Sequence, residues 1–121
     1  MFYLFFLGRV LFGGFFIMSG WAHLTKVGMM KGYSASKGVP MPALAVIVTG
    51  IMLLLGGLAI LFWQYVAVGS WLLVIFLIPG AFLFHDFWRV ADPQQKMMQM
   101  MLFMRNIALT GALLILLGLS F

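Results

Sequence analysis

The chain has 121 residues, of which 65% are hydrophobic and only 7% are Asp, Glu, Lys or Arg, whereas a soluble globular chain is about 45–50% apolar and about 25% charged. Its net charge of +5 comes from seven scattered Lys and Arg, which form no basic stripe for nucleic acid and instead suit membrane orientation and contact with anionic lipid headgroups. Because Cys is absent, disulfides, thiolate metal sites and thiol redox relays within the chain are excluded.

Four apolar segments are long enough to cross a bilayer, which takes roughly 20 apolar residues. They run from about 2 to 24, 42 to 63, 65 to 84 and 100 to 121. Each is predicted to be a helix, because unpaired backbone groups in hydrocarbon cost several kcal/mol each. The connections are too short for a separate soluble domain. We therefore predict an all-α integral membrane protein, a single domain built as a four-transmembrane-helix bundle.

The first span begins MFYLFFLGRVLFGGFFIMSG, without the basic n-region and A-x-A site of a cleaved signal peptide, so we retain it as a helix. On a 3.6-residue period, one stripe carries Arg9, Gly13, Phe16, Gly20 and His23. Small and polar residues rarely face lipid, so this stripe is predicted to be the packed face. Arg9 lies about 21 Å from His23 along the helix. It is predicted to snorkel to the outer interface or to bond a carbonyl between helices.

The first connection, TKVGMMKGYSASKGVPMP, is rich in Gly, Ser and Lys and ends in two prolines. Two interpretations remain open. It is either a solvated connector or a lid that folds back at the interface through Met29, Met30 and Tyr33. The second interpretation requires that irregular backbone at that depth be shielded by protein.

Span two is predicted to pack through one stripe of mostly small residues, which consists of Ala45, Thr49, Met52, Gly56 and Ala59. The link to span three is only Trp63-Gln64-Tyr65, an interfacial aromatic pair around one amide, and so tight a turn makes the two helices antiparallel. Pro79-Gly80 inside span three predicts a kink.

Span four carries small residues, Ala108 and Ala112, at small-xxx-small spacing, and Asn106 and Thr110 form a polar pair one turn apart. Three of the helices thus each have a seam for close packing, which favours a compact bundle. The residues to which we assign helix packing are Gly13, Gly20, Gly56, Ala108 and Ala112.

Positive charge is concentrated on one side of the predicted bundle. The loops after spans one and three carry Lys26, Lys31, Lys37, Arg89 and Lys96. The opposite side has only the amino terminus and an arginine within span one. By the positive-inside rule, both of these loops are predicted to face the cytoplasm and both termini the outside.

Polar residues also gather at the span ends on this side. The five that alternating helix directions bring to one membrane face are His23, His85, Asp86, Arg105 and Asn106. A charge within a span costs roughly 2.5–3.5 kcal/mol on insertion scales, so Asp86 is expected to pair with Arg89 or Arg105.

Two interpretations of this polar cluster remain open. The first is a salt-bridge and hydrogen-bond network that locks three helices together. The second is a pocket at headgroup depth for the carbonyl or hydroxyl of a quinone, or for a small oxyanion. In that pocket His85 and Asp86 are the candidate catalytic pair, because a histidine with a carboxylate can pass a proton to or from the bound group. The candidate ligand-binding residues are His23, Lys26, Arg89, Arg105 and Asn106.

Metal and haem sites are less favoured. Met97, Met101 and Met104 share a helix face, and thioethers bind Cu(I). Without Cys or dense Met-x-Met repeats, however, these residues are more typical of apolar gap filling than of a copper site. A b-type haem between His23 and His85 would rest on two histidines alone, a number that chance supplies. We predict no metal site.

Five motifs follow one another along the chain: LGRVLFGGFFIMSGWAHLTK, GVPMP, LLLGGLAILF, FHDFW and FMRNIALTGALLIL. In this order they resemble the DoxX family of small four-span bacterial membrane proteins. The resemblance implies a multi-pass protein of a bacterial or archaeal cytoplasmic (inner) membrane. It also implies a loose association with redox chemistry, since the family takes its name from a thiosulfate:quinone oxidoreductase system. Positions that look like recurring family positions are Arg9, Gly20, His23, Lys26, His85, Trp88 and Asn106, which adds Trp88 to the candidate ligand-binding residues.

One departure from the family pattern bears on catalysis. Many relatives carry a Glu in the second span just before its glycine pair, whereas the corresponding place here, around Leu53, is apolar. This chain therefore either lacks an activity that depends on that Glu or uses Asp86 instead.

Three functional hypotheses follow. The first is a redox-associated protein or subunit that interacts with quinone. The second is a non-catalytic assembly or scaffold subunit that binds partner helices through its small-residue seams, as a homo-oligomer or within a larger membrane complex. The third, transport of a small anion, is least favoured because four short helices leave little room for a pathway in one protomer.

Overall fold

The structure, a computed structural model, describes residues 1–120, apart from the side chain of residue 120. The described part is helical, without strands. Its elements are α1 (Phe2–Thr25), α2 (Val27–Ser36), α3 (Pro42–Phe62), α4 (Val66–Phe84), a short 3-10 turn (Phe87–Arg89) and α5 (Pro93–Ser120). All of these helices except α2 are long and apolar enough to cross a membrane. The predicted all-α membrane bundle is confirmed.

The first three spans lie within a few residues of the predicted bounds, and the fourth does not. α5 begins at Pro93, about two turns before the predicted start at 100. Asp92 accepts a hydrogen bond from the backbone N–H of Gln95 at 3.0 Å and so caps the new start. The last residue of the predicted fourth span, Phe121, lies outside the described residues.

α1 and α3 touch backbone to backbone at two pairs of glycines. A Cβ on Gly13 would lie 2.7 Å from the carbonyl oxygen of Gly57, and a Cβ on Gly57 would lie 2.7 Å from that of Gly13. One heptad away, a Cβ on Gly20 would lie 2.7 Å from the carbonyl oxygen of Gly50. Residues with side chains cannot approach this closely. The predicted packed face of α1 is therefore the face that contacts α3, and its glycines are buried.

The packed face of α3 differs from the prediction by one position. Its buried residues are Val46, Gly50, Leu53, Gly56, Gly57 and Ile60. Of the predicted stripe only Gly56 is buried, and it faces α4, where a Cβ would lie 2.5 Å from the Leu73 side chain. The buried stripe differs from the predicted one because Gly50 and Gly57 are the residues that α1 approaches most closely.

The turn between α3 and α4 is as short as predicted. Trp63 and Tyr65 both adopt left-handed backbone conformations, with φ of 57° and 55°, and the N–H of Gln64 bonds the carbonyl of Ala59. The same end of α3 is capped by Arg9, whose Nε and Nη2 donate to the carbonyl oxygen of Leu61 at 3.0 and 2.7 Å. Arg9 thus takes the second of its two predicted roles, a bond to a carbonyl between helices.

α5 packs on α4 through a stripe that the sequence analysis assigned in part. Its buried residues are Asn106, Thr110, Leu113 and Leu117. Ala108 lies on the opposite side of the helix and is exposed, and Ala112 is half-buried. The assignment of Ala108 to packing within the chain is corrected accordingly, because the heptad spacing of the buried stripe directs Ala108 away from α4.

The first connection folds as a helix, α2, which packs against α3. Its Tyr33 hydroxyl donates to the carbonyl oxygen of Phe84 at 2.8 Å, and the two rings stack with centroids 5.6 Å apart. Ser34 is buried on the inner side of α2. The connection therefore matches the lid interpretation, with the difference that its backbone is helical and satisfies its own hydrogen bonds.

We predict that Gly13→Ala destabilises the protein by about 1–3 kcal/mol, because the added methyl group would meet backbone atoms of α3 that have no rotamer with which to yield. Unfolding by denaturing detergent, followed by circular dichroism, measures the change.

The matched control is Gly14→Ala in the next position of the same helix. Nothing lies within 4 Å of a Cβ there, so Gly14→Ala is expected to leave the stability unchanged or slightly raised. Equal stability of the two variants would contradict the close approach of α1 and α3.

Candidate functional site

A cavity of about 580 Å³ occupies the end of the bundle that α2 covers. All five helices contribute to its wall, which is mostly aromatic and aliphatic. Phe16, Leu53 and Leu77 line it and also belong to the buried hydrophobic core, so the cavity ends inside the bundle. A largely apolar cavity with a few convergent polar groups is typical of a small-molecule site.

His23 enters the cavity from α1 and is held by α3. Its Nδ1 lies 3.1 Å from the hydroxyl oxygen of Thr49 and 3.3 Å from the carbonyl oxygen of Val46. Its ring meets the ring of Phe76 edge-on, with centroids 5.5 Å apart. The approach depends on Gly50, because a Cβ on that residue would lie 2.7 Å from the Cβ of His23. The glycine seam therefore also positions this imidazole.

His85 caps the carboxyl end of α4 and also lines the cavity. Its Nδ1 lies 2.9 Å from the side-chain oxygen of Gln99, one of the first residues of α5. Sequence reasoning missed Gln99 because it placed the start of the fourth helix one residue after it. Asp92 and Pro93, a typical cap followed by a proline at the first helical position, were the signal for the earlier start.

Arg105 and Asn106 contribute the polar groups of α5. The side-chain nitrogen of Asn106 lies 3.4 Å from the carbonyl oxygen of Leu77, and its oxygen lies 3.3 Å from Nη2 of Arg105. The guanidinium sits over the ring of Phe15 on α1, 5.6 Å from its centroid. Arg105 is exposed and yet lines the cavity. The cavity is therefore open to the outside at Arg105, beside Phe15 of α1.

Asp86 lies outside this cavity and pairs with a lysine that the sequence analysis did not consider as its partner. Its Oδ1 is 2.8 Å from Nζ of Lys37, just after the carboxyl end of α2. The expected partners, Arg89 and Arg105, form no ion pair with it in residues 1–120. The reason is that α4 ends at Phe84 and the chain turns, while α2 folds back over this end and brings its lysine with it.

The predicted polar cluster is thus divided between two places. His23, His85, Arg105 and Asn106 line the cavity. The remaining candidates do not line it: Asp86, Trp88 and Arg89 line a separate groove of about 380 Å³ together with Lys37, and Lys26 is exposed.

Residues 1–120 contain no group of three or more His, Cys, Asp or Glu that could hold a metal ion. The three methionines considered for copper, Met97, Met101 and Met104, are each more than half exposed on the outer face of α5. They do not line the cavity.

Comparison with known proteins agrees with a membrane protein of this fold. A family model described as DoxX matches residues 4–86, which include most of α1, all of α2 to α4 and both histidines. No curated protein matches, and no solved structure matches. Since the match covers well over half of the 121 residues, the chain is a membrane protein of the DoxX family.

Proposed function

We propose that this protein is a redox-associated membrane subunit whose cavity binds the headgroup of a quinone. The observation that carries the proposal is the meeting of two imidazoles and one guanidinium, those of His23, His85 and Arg105, in a cavity whose wall is otherwise largely apolar. A quinone has the matching chemistry, with two oxygens that can accept from a guanidinium and an apolar ring that carries an apolar tail.

The position of the opening supports a ligand that arrives from the bilayer. Arg105 of α5 marks the opening, beside Phe15 of α1, and both of these helices are long and apolar enough to cross the membrane. A lipid-soluble molecule can enter sideways there and place its head beside the guanidinium. A small hydrated oxyanion would instead lose its water to a mostly apolar wall, which is costly. The cavity also ends at the hydrophobic core, which weighs against anion transport.

Within the proposal, Arg105 donates hydrogen bonds to a ligand oxygen. It has no carboxylate partner in residues 1–120, because Asp86 pairs with Lys37 and Asp92 caps α5. A guanidinium without a counter-ion in an apolar setting favours an oxygen acceptor with partial or full negative charge.

His85 is the group to which we assign proton exchange with the bound head, since an imidazole titrates near neutral pH. Asp86 follows it in the chain and is held by Lys37 in the neighbouring groove. We therefore assign Asp86 an indirect role, in which it fixes the end of α4 and keeps a negative charge near His85. The place around Leu53, at which many relatives carry a Glu, is apolar and buried in this chain, so proton exchange is assigned to His85 rather than to an acid in α3.

We predict that Arg105→Gln lowers the quinone content of the purified protein about tenfold or more, because a hydrogen bond from a charged donor contributes about 1.5–3 kcal/mol. Quinone extracted from protein in native-lipid nanodiscs is measured by chromatography, per mole of chain.

The matched control is Arg89→Gln, which removes an exposed arginine from the neighbouring groove. It is expected to leave the quinone content unchanged. Wild-type protein that contains no quinone, or equal loss in both variants, would contradict the proposal.

A second candidate function, that of an assembly or scaffold subunit, is favoured by the outer face of α5. Ala108 is exposed, and a Cβ on Gly111 or Gly118 would meet nothing within 4 Å. Small residues open to the outside at helical spacing admit close approach by another helix, either from a second copy of the chain or from a larger complex.

If this face binds another helix, the double variant Gly111→Leu and Gly118→Leu is expected to shift the protein to its monomeric mass, because the leucines fill the space that the partner backbone needs. Native mass spectrometry of protein released from nanodiscs measures the mass. Gly8→Leu, at another open position, is the control. A wild-type protein that is already monomeric and copurifies with no partner would exclude this candidate.

We further infer that the loops on either side of α2 and between α4 and α5 face the cytoplasm. Lys26, Lys31, Lys37, Arg89 and Lys96 all lie at this end of the bundle, and the positive-inside rule supports the inference.

Single cysteines test the orientation cleanly, because the chain contains none of its own. Gln64→Cys, in the exposed turn between α3 and α4, is expected to react with a membrane-impermeant maleimide in intact cells. Ala91→Cys, exposed before α5, is expected to react only after permeabilisation. The reverse pattern would invert the topology.

A further inference from the structure

The hydrogen bonds of His23 determine which of its nitrogens carries the proton. Nδ1 faces the carbonyl oxygen of Val46, which can only accept. It also faces the hydroxyl of Thr49, whose own hydrogen is directed to the carbonyl oxygens of its helix, 2.7 Å away at Ala45. Both neighbours therefore act as acceptors for Nδ1. The proton of the neutral ring resides on Nδ1, and the lone pair resides on Nε2.

The opposite tautomer is disfavoured at this position. It would place the lone pair of Nδ1 against the carbonyl oxygen of Val46, and it would require the Thr49 hydroxyl to turn away from the carbonyl oxygens of its own helix. Nε2 of His23 makes no hydrogen bond to any residue from 1 to 120. Because His23 lines the cavity, its Nε2 is an acceptor for a donor group of a ligand.

His85 repeats the arrangement from the other side of the cavity. Its Nδ1 lies 2.9 Å from the amide oxygen of Gln99, and with the amide in this orientation Nδ1 donates and Nε2 retains the lone pair. The wall also contains donors for a ligand oxygen, above all the guanidinium of Arg105, whose contact with Asn106 uses only one of its five N–H groups.

The two redox forms of a quinone differ in how they meet these groups. Each form has oxygens that can accept from Arg105. Only the reduced form has hydroxyl hydrogens to donate to a histidine Nε2. The oxidised form would direct a carbonyl lone pair at the lone pair of the imidazole, and it would leave that nitrogen without a partner in a mostly apolar cavity.

We propose that the cavity binds the reduced, hydroxyl-bearing form of the quinone in preference to the oxidised form, because the fixed tautomers of His23 and His85 present acceptors rather than donors. The inference rests on the proposed quinone function and adds to it which redox form of the quinone binds more tightly. One additional hydrogen bond corresponds to about tenfold tighter binding of the quinol. A tenfold preference raises the reduction potential of the bound two-electron couple by about 30 mV.

The experiment measures the binding of decylubiquinol and of decylubiquinone to the protein in nanodiscs by anaerobic equilibrium dialysis. For the wild type, the quinol is expected to bind about tenfold more tightly. His23→Gln is expected to reduce this preference about threefold or more, because an amide side chain can donate to a carbonyl as well as accept from a hydroxyl. Met29→Leu, in the same wall without a hydrogen bond, is expected to preserve it.

The outcomes separate the two proposals. Binding of neither form would overturn the proposed function and, with it, this inference. Equal binding of both forms by the wild type, or a preference for the quinone, would overturn the inference and leave the proposed function standing. A ¹⁵N NMR spectrum of histidine-labelled protein provides a second measurement that needs no variant, since the chain has only two histidines. Resonances of the Nδ1–H tautomer support the inference, and those of the Nε2–H tautomer overturn it.

Discussion

The close contact between the backbones of α1 and α3 is the constraint on which the rest of the structure depends. Two glycine pairs one heptad apart let the helices approach until each carbonyl oxygen of the first pair lies 2.7 Å from the place where the other residue would carry its Cβ. The same approach places the Cβ of His23 against the backbone of Gly50 and brings the imidazole ring within hydrogen-bond distance of the Thr49 hydroxyl. The glycine contact that packs α1 on α3 thus also orients the imidazole of His23, a candidate ligand-binding group.

Several polar groups within the long helices bond to backbone carbonyls, although the buried hydroxyl of Ser70 on α4 has no hydrogen-bond partner in residues 1–120. Arg9 caps the end of α3 at Leu61, and Asn106 reaches the Leu77 carbonyl on α4. Such pairing follows from the high cost of an unsatisfied polar group in hydrocarbon. Arg105 has instead a neighbouring amide and an aromatic face. A charge that is only partly satisfied by its own chain, at the opening of a cavity, is the strongest argument for a bound partner.

The fold was predictable from the sequence where composition and helical period agree, and less so elsewhere. The packed face of α1 was found because polar and small residues share one stripe there. In α3 nearly every residue is apolar, so the spacing of apolar residues does not reveal which face is packed. Only the close approach of α1 identifies Gly50, rather than the neighbouring Thr49, as the residue that contacts the α1 backbone. The conformation of the segment that forms α2 was left open because Gly and Ser are poor helix formers. The stability of this helix comes instead from its packing on α3.

The division of the polar cluster was not predictable, because it depends on where the chain turns at the end of α4. Continuation of that helix would have placed Asp86 and Arg89 on one surface. The helix instead ends at Phe84, and the fold-back of α2 supplies Lys37 from far away in the sequence. The spacing of neighbouring residues in the sequence cannot predict a contact such as that between Lys37 and Asp86. The same is true of Gln99, whose role follows from the position of α5 relative to His85.

The extent of the family match suggests how the site is divided. Residues 4–86 contain both histidines and most of the cavity wall, whereas Gln99 and Arg105 lie on α5, beyond the matched part. The shared part of the fold therefore supplies the space and the imidazoles. The helix outside the match supplies the amide that bonds one imidazole and the guanidinium at the edge of the cavity. The polar groups of the cavity therefore depend on α5 as well as on the matched helices.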